Sequence, residues 1–120
     1  GHTFLGWSLS HQERTEEAIE ECKKAIAIDP DYGNPYNDIG AYLINLGRAE
    51  EAIPWFEKAM RAKRYCCYQF PHFNMGRVLL MQGLIEKAER AFERALSYKP
   101  DYLAARKALE YVRSLEGEAL

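Results

Sequence analysis

The side chains with the most obvious chemical potential are the cysteines and a histidine in the middle of the chain. Cys66 and Cys67 are adjacent, and His72 follows five residues after Cys67. Thiolates and imidazoles are common zinc ligands, but zinc-binding cysteines are usually separated by about two residues and accompanied by a second ligand pair. Here the cysteines are adjacent, and the third one, Cys22, is far away in the sequence. The sequence therefore predicts no metal site, and Cys22 is expected to lie in the core.

The residue spacing indicates no other kind of catalytic site. Glutamates are concentrated at 16–21 and at 50–51, but such runs are typical of a solvated helix face rather than of a paired acid and base. The eight glycines are scattered, so no phosphate-binding loop is indicated, and the three histidines are widely separated. We therefore predict that the chain is not an enzyme and uses no cofactor.

Length and composition place the chain among globular domains. It has 120 residues, of which 48% are hydrophobic and 28% are charged, with a formal net charge of −2. That balance predicts one folded domain and argues against a generic nucleic-acid binder. No apolar run approaches the about 18 residues that a membrane-spanning helix needs, and no export signal is evident. Because three cysteines are too few for a disulfide framework, a reducing, cytoplasmic location without membrane insertion is expected.

The sequence contains three copies of one repeat pattern. The helices that this pattern predicts must position any functional side chain. Each copy opens with a large apolar residue followed by glycine, and 34 residues separate Gly6 from Gly40 while 36 separate Gly40 from Gly76. Small and medium apolar residues then recur at fixed offsets, namely Ala18, Cys22 and Ala25, then Ala52, Phe56 and Ala59, then Ala88, Phe92 and Ala95. Apolar residues at this spacing predict amphipathic helices.

This pattern resembles the tetratricopeptide repeat, whose unit reads W-x2-L-G-x2-Y, then A-x3-F, then P. The resemblance implies an all-α, right-handed α-solenoid of three helix hairpins plus a C-terminal capping helix. Units are expected at about 1–32, 33–68 and 69–102, with the capping helix at about 102–116. The first aromatic of the family pattern is kept as Tyr36 but is replaced by His2 and His72 in the other units.

Turn residues predict where the helices begin and end. Gly47 and Gly83 follow the first helices of units two and three, where a left-handed residue is wanted, but Glu13 takes that place in unit one. The turn of unit one should therefore be less well formed. Asn34 is expected to cap a helix with Pro35 at its first position. Pro54 falls inside the second helix of unit two, which predicts that this helix begins late or bends.

By resemblance to the family, the first helices of the units line a concave groove that binds a peptide or a partner helix. Asparagine amides there could hold a peptide backbone, apolar side chains could form anchor pockets, and cations could meet an acidic group. The alternative for the aromatic side chains is packing between units. The groove candidates are Trp7, Asn37, Asn45, Phe70, Phe73, Asn74, Arg77, Leu80, Lys107 and Tyr111.

The sequence thus predicts a protein–protein interaction module or scaffold, with three other functions weighed against it. Some relatives clamp acidic chaperone tails, but the clamp places hold Thr3, Trp7, Asp38, Phe70 and Asn74, so this is disfavoured. Self-assembly through the end faces, giving a homo-oligomer, remains open. A nucleic-acid accessory role through the basic 61–64 patch is less favoured, because cations at a helix end commonly complement the helix dipole.

Overall fold

The computed structural model describes the backbone of residues 2–119 and the side chains of residues 11–117. Within these residues the chain forms helices and one isolated bridge between Tyr32 and Arg64. The helices are α1 (His2–Ile28), α2 (Asn34–Asn45), α3 (Ala49–Met60), α4 (Gln69–Met81), α5 (Ile85–Tyr98) and α6 (Leu103–Ala119). The predicted all-α solenoid is confirmed.

Two tight hairpins, α2–α3 and α4–α5, form the body of the molecule. Their turns contain Gly47 and Gly83, both with φ of 78°, which is the left-handed region that glycine adopts at little cost. The Arg48 N–H donates to the Leu43 carbonyl over 2.8 Å, and the Leu84 N–H donates to the Leu79 carbonyl over 2.9 Å. The two glycines therefore make the same turn, as the sequence predicts.

The first unit differs from the other two, because α1 is one continuous helix of 27 residues. The predicted hairpin of unit one is absent from the described residues, so two hairpins rather than three are formed. The physical reason is the residue at the turn, where Glu13 stands in place of Gly47 and Gly83. A side chain disfavours the left-handed conformation, whereas glutamate is a good helix former, so the helix continues.

Two predicted helix boundaries also need correction. Helix α3 begins at Ala49 and contains Pro54, so of the two alternatives expected from the proline, a late start or a bend, the late start is wrong. The missing N–H of Pro54 leaves one carbonyl of the first turn without its helical partner. At the start of α2 the capping residue is Gly33, and the Asn34 amide donates to Asp38 instead, over 3.4 Å.

The core consists of two clusters of buried residues. The first joins α1, α2, α3 and α4 around Phe56, and the second joins α5 and α6 around Phe92. Each ring lies against a glycine of the preceding helix, Gly40 for Phe56 and Gly76 for Phe92. Small residues at these crossings let the paired helices approach closely, which is the packing that the repeat pattern predicts. The capping helix α6 buries Ala105, Leu109 and Val112.

The links between units are tied to each other. Arg64 forms an ion pair with Asp29, its N–H donates to the Asp31 carbonyl over 2.9 Å, and its carbonyl accepts from Gly33 over 2.9 Å. Cys66 and Cys67 are joined by a disulfide, which the sequence analysis did not expect. They lie in the segment between α3 and α4. Cys22 is free and half-buried.

Candidate functional site

A row of polar side chains crosses from α2 to α4 and forms the centre of the candidate site. Asn37 and Asn74, 7% and 8% exposed, lie on the first helices of neighbouring units. The Asn74 amide donates to the Asn37 oxygen over 3.1 Å, and Arg77 donates to the Asn74 oxygen over 3.2 Å. We call Asn37, Asn74 and Arg77 the amide row.

The amide row has hydrogen-bonding capacity left after these contacts. Each asparagine has two N–H donors and one carbonyl oxygen, and Arg77 has five N–H donors in a planar fork. These two hydrogen bonds use one amide donor of Asn74 and one guanidinium donor of Arg77. Arg77 is half-buried, so the remaining donors can reach a ligand in a partly desolvated setting, where charged hydrogen bonds are stronger.

The aromatic candidates Phe70 and Phe73 pack against the next unit. Both rings meet Tyr102 edge-on, with centroids 5.6 Å and 5.2 Å from it, and Phe73 also lies 5.7 Å from Phe92. Phe73 is therefore a packing residue, while Phe70, at 36% exposure, keeps part of its ring available. This arrangement matches the alternative that the sequence left open, with the aromatic side chains filling the junction between units.

Tyr102 is the residue of this region that the sequence analysis did not single out. It is half-buried, and burial raises the pKa of its hydroxyl while the nearby Arg77 lowers it. It thus lies between the two phenylalanines and the cation of the amide row. A signal was available, because the triplet Pro-Asp-Tyr occurs at both 30–32 and 100–102, before α2 and before α6.

The other candidates lie apart from the amide row. Leu80 packs on the core cluster around Phe92. Asn45 lies exposed at the end of α2, and Lys107 and Tyr111 are exposed on α6. Among the described side chains, no hydrogen bond or ring contact joins these three to the row. Trp7 lies outside the residues whose side chains the structure describes.

Asp38 makes the neighbouring part of α2 acidic. Its carboxylate accepts from Asn34 over 3.4 Å, and burial raises the pKa of the carboxyl group. Burial raises the pKa values of the Cys22 thiol and the Tyr42 hydroxyl, and the negative charge of Asp38 raises both further. One end of the surface therefore carries a partly desolvated carboxylate, and the other carries the Arg77 guanidinium.

Replacing Asp38 by asparagine is expected to stabilise the protein at neutral pH. The folded pKa is raised above the unfolded value of 3.8, so the ionised group opposes folding at pH 7, and this penalty disappears as the pH falls through the folded pKa. Asp38→Asn should raise the melting temperature by about 1–3 °C at neutral pH and by nothing in acid. Thermal unfolding at several pH values measures this, with the exposed Glu57→Gln as the control; an equal gain in acid would contradict it.

The glutamates of α1 and α3 line a cavity on the other side of α2. This cavity, of about 830 Å³, includes Glu16, Glu20 and Glu51. Two of these carboxylates form ion pairs with cations on the surface, Glu20 with Lys23 over 3.6 Å and Glu51 with Arg48 over 2.6 Å. The Arg48 hydrogen bond lowers the pKa of Glu51, which is the opposite of what a general acid needs.

The basic segment 61–64 and the aromatic side chains after it are engaged within the protein. Arg64 pairs with Asp29, and Tyr65 lies against Gly33 and meets Tyr68 edge-on at 5.4 Å. Tyr68 in turn lies 5.5 Å from Tyr98. Rings packed in this way offer no free platform for stacked bases, so the geometry gives little support to nucleic-acid binding through this segment.

The cysteines and the histidine considered as metal ligands, Cys66, Cys67 and His72, make other contacts within the protein. Cys66 and Cys67 form the disulfide, and His72 stacks on Tyr98 with ring centroids 5.4 Å apart. Burial and the nearby Arg94 lower the pKa of His72. In the part of the chain with described side chains, no group of three His, Cys, Asp or Glu residues is arranged to hold a metal ion.

Comparison with known families decides what kind of repeat this is. A family model described as tetratricopeptide repeat matches residues 1–32 and 70–102, and a second model with the same description matches 21–53. The chain belongs to the tetratricopeptide repeat family. Repeats of this kind build interaction scaffolds, so the amide row lies on a fold suited to binding proteins.

Relatives and solved structures share the fold over most of this chain. Mouse tetratricopeptide repeat protein 21B is 27% identical over 97 residues, covering 81% of the chain. The curated relatives are much longer, and the chain spans 7 to 16% of their length. The first tetratricopeptide domain of Spaghetti (RPAP3), bound to an HSP90 peptide, superposes with a TM-score of 0.78 at 19% identity, covering 94% of this chain and 88% of that one. The MamA protein gives 0.73 at 23% identity, covering 86% and 55%.

Asp38 and Phe70 stand at two of the places that the family resemblance assigns to a chaperone-tail clamp. Asp38 carries a carboxylate, which would repel an acidic tail, and the Phe70 ring meets Tyr102 edge-on. Among the described residues, no helix of this tetratricopeptide domain is long and apolar enough to cross a membrane.

Proposed function

We propose that this tetratricopeptide domain binds an extended peptide along the α2 and α4 helices, with the amide row as its centre. The observation that carries the proposal is the hydrogen-bonded row of Asn37, Asn74 and Arg77, which links two neighbouring units. A buried polar row on the first helices of adjacent units is costly to desolvate unless it is well satisfied. Its spare donors and acceptors suit the amides of a peptide backbone.

Charge gives the proposed peptide a direction. Arg77 can take a side-chain or terminal carboxylate in a two-point contact, as a planar guanidinium does. Asp38, whose carboxyl pKa is raised by burial, favours a cation or a hydrogen-bond donor at its end of the surface. We expect ligands with an acidic group near Arg77 and a basic or polar residue near Asp38. Phe70 and Tyr102 offer an apolar contact beside the acidic group.

Arg77→Ala is the sharpest single test of this proposal. A charged hydrogen bond contributes about 1.5–3 kcal/mol, so the variant should weaken binding by about ten- to a hundredfold. The probe is a library of random peptides with free C-terminal carboxylates, from which the best binders to the unaltered protein are synthesised and titrated by fluorescence anisotropy. Arg90→Ala, which removes an exposed arginine on α5, is the matched control and should leave affinity unchanged.

Asn74 is less suitable as a first test, because its removal also affects stability. Replacing it by alanine leaves the Asn37 oxygen without its partner and should lower the free energy of unfolding by about 1–3 kcal/mol. The side-chain amide signals of Asn37 and Asn74 in NMR spectra give a direct measure without substitution. They should shift on addition of a selected peptide; unchanged signals, or equal binding to Arg77→Ala, would place the binding surface elsewhere.

A further inference from the structure

One face of α1 is left uncovered, although its equivalents in the other units are fully buried. Ala18 and Cys22 are half-buried, and Ala25 is exposed. The residues at the same repeat positions have no exposed surface at all, namely Ala52, Phe56 and Ala59 in unit two and Ala88, Phe92 and Ala95 in unit three. We call Ala18, Cys22 and Ala25 the open face.

In units two and three this face is covered by the first helix of the same hairpin. Gly40 of α2 lies against Phe56, and Gly76 of α4 lies against Phe92. The chain contains a matching segment for unit one, because Gly6 precedes Gly40 by 34 residues, as Cys22 precedes Phe56. That segment, residues 2–12, belongs to the continuous helix α1, so it does not fold back over the open face as a separate helix.

The first unit lacks the turn glycine of the other two units and has Glu13 at that position. The segment Glu13-Arg14-Thr15-Glu16-Glu17 aligns with Gly47-Arg48-Ala49-Glu50-Glu51, where Arg48 pairs with Glu51 over 2.6 Å. The arginine and the last two glutamates are kept, whereas Glu13 replaces the turn glycine and Thr15 replaces Ala49. Closing the hairpin would force Glu13 toward the left-handed region, which is unfavourable for a residue with a side chain.

We propose that residues 2–12 of a second copy of this chain cover the open face, so that two chains exchange their first helical segments. The exchange buries Ala18, Cys22 and Ala25 in both copies while α1 stays helical through Glu13. It uses contacts that the sequence already specifies within one chain, which is why exchange of identical segments is a low-cost route to a dimer. Residues 2–12 carry no acidic side chain, which suits their position beside Asp38.

A cysteine introduced at Gly6 tests the exchange directly, because the native Cys22 is its predicted partner. If Gly6 contacts Cys22 as Gly40 contacts Phe56, oxidised Gly6→Cys protein should form a disulfide between two chains. Non-reducing gel electrophoresis then shows a species of twice the chain mass. Burial raises the pKa of the Cys22 thiol, so the oxidation is run at alkaline pH to supply thiolate.

Two controls make the cross-link specific. Gly6→Cys combined with Cys22→Ser removes the partner thiol and should abolish the band, which excludes a reaction with Cys66 or Cys67. Ser8→Cys places the thiol about 200° around the helix from position 6 and should cross-link poorly. A disulfide within one chain would mean that the hairpin closes on itself, and no disulfide to Cys22 would mean that the face stays open. Either result overturns the proposal.

The turn residue gives a second, independent measurement. Glu13→Gly supplies the residue that the other two hairpins use at φ of 78°, so it should let each chain close its own hairpin and become a monomer. Glu16→Gly lowers helix propensity in the same helix without changing the turn position and should remain a dimer. Sedimentation velocity over a range of concentrations distinguishes these outcomes. A monomeric unaltered protein at every concentration contradicts the exchange.

Discussion

Phe92→Ala is expected to lower the free energy of unfolding by about 3–5 kcal/mol, the cost of emptying a large aromatic site in a packed core. Phe92 has no exposed surface and belongs to the cluster with Ala88, Leu109 and Val112. It touches Gly76 of α4, and its ring centroid lies 5.7 Å from that of Phe73. The substitution therefore weakens the contacts of α5 with both α4 and α6.

Urea unfolding followed by circular dichroism measures the loss, and Phe70→Ala is the matched control. Phe70 is the same residue type in the same unit, but it is 36% exposed and contacts Tyr102 at its edge. Its removal should cost about 1 kcal/mol, within the range of an aromatic pair contact. Equal losses for the two variants would show that burial against Gly76 is not what stabilises this hairpin.

The repeat pattern in the sequence predicts those parts of the fold that depend on local residue type. Gly47 and Gly83 adopt the predicted left-handed turn because no other residue does so at such low cost. Gly40 and Gly76 mark the close helix crossings because a side chain there would collide with the next ring. These positions recur at a fixed spacing, so one sequence suffices to find them.

The structure differs from the sequence-based predictions at two single residues, Glu13 in α1 and Pro54 in α3. Glu13 was expected to weaken a turn, yet it removes the turn altogether, because the helix can simply continue through it. Pro54 was expected to delay the start of α3 or to bend it, yet the helix begins at Ala49, and Ala52 and Phe56 are fully buried in the core around Phe56. At Glu13 the local preference of a good helix former decides the backbone, whereas at Pro54 the helix forms despite the local preference of proline.

The candidate site was predicted only in part, because its contacts join residues of different units. The helix face of Asn37 and Asn74 follows from the repeat register, but their hydrogen bond depends on the distance between α2 and α4, which the sequence does not give. The same applies to Phe70 and Phe73, whose partner Tyr102 lies in the next unit. Contacts between units depend on how the hairpins stack, and the repeat pattern of the sequence does not specify that stacking.

The second large effect is expected for Gly76→Leu, which overpacks the crossing of α4 and α5. A Cβ atom on Gly76 would lie 2.5 Å from the Phe92 Cε1 atom, so even the first carbon of a side chain collides with a buried ring. Overpacking of a core costs about 1–3 kcal/mol, sometimes more, and the rigid ring favours the upper end here. Gly117→Leu, in the helix α6 where nothing lies within 4 Å, is the control and should not destabilise the protein.

The two large substitutions should also compensate each other, which tests the cause rather than only the size of each effect. Phe92→Ala leaves a cavity where the side chain of Gly76→Leu needs room, so the double variant should lose clearly less stability than the sum of the single losses. Residues in direct contact commonly show such coupling, of about 0.5–3 kcal/mol. Additive losses in urea unfolding would mean that Gly76 acts through the backbone of α4 rather than by making space for Phe92.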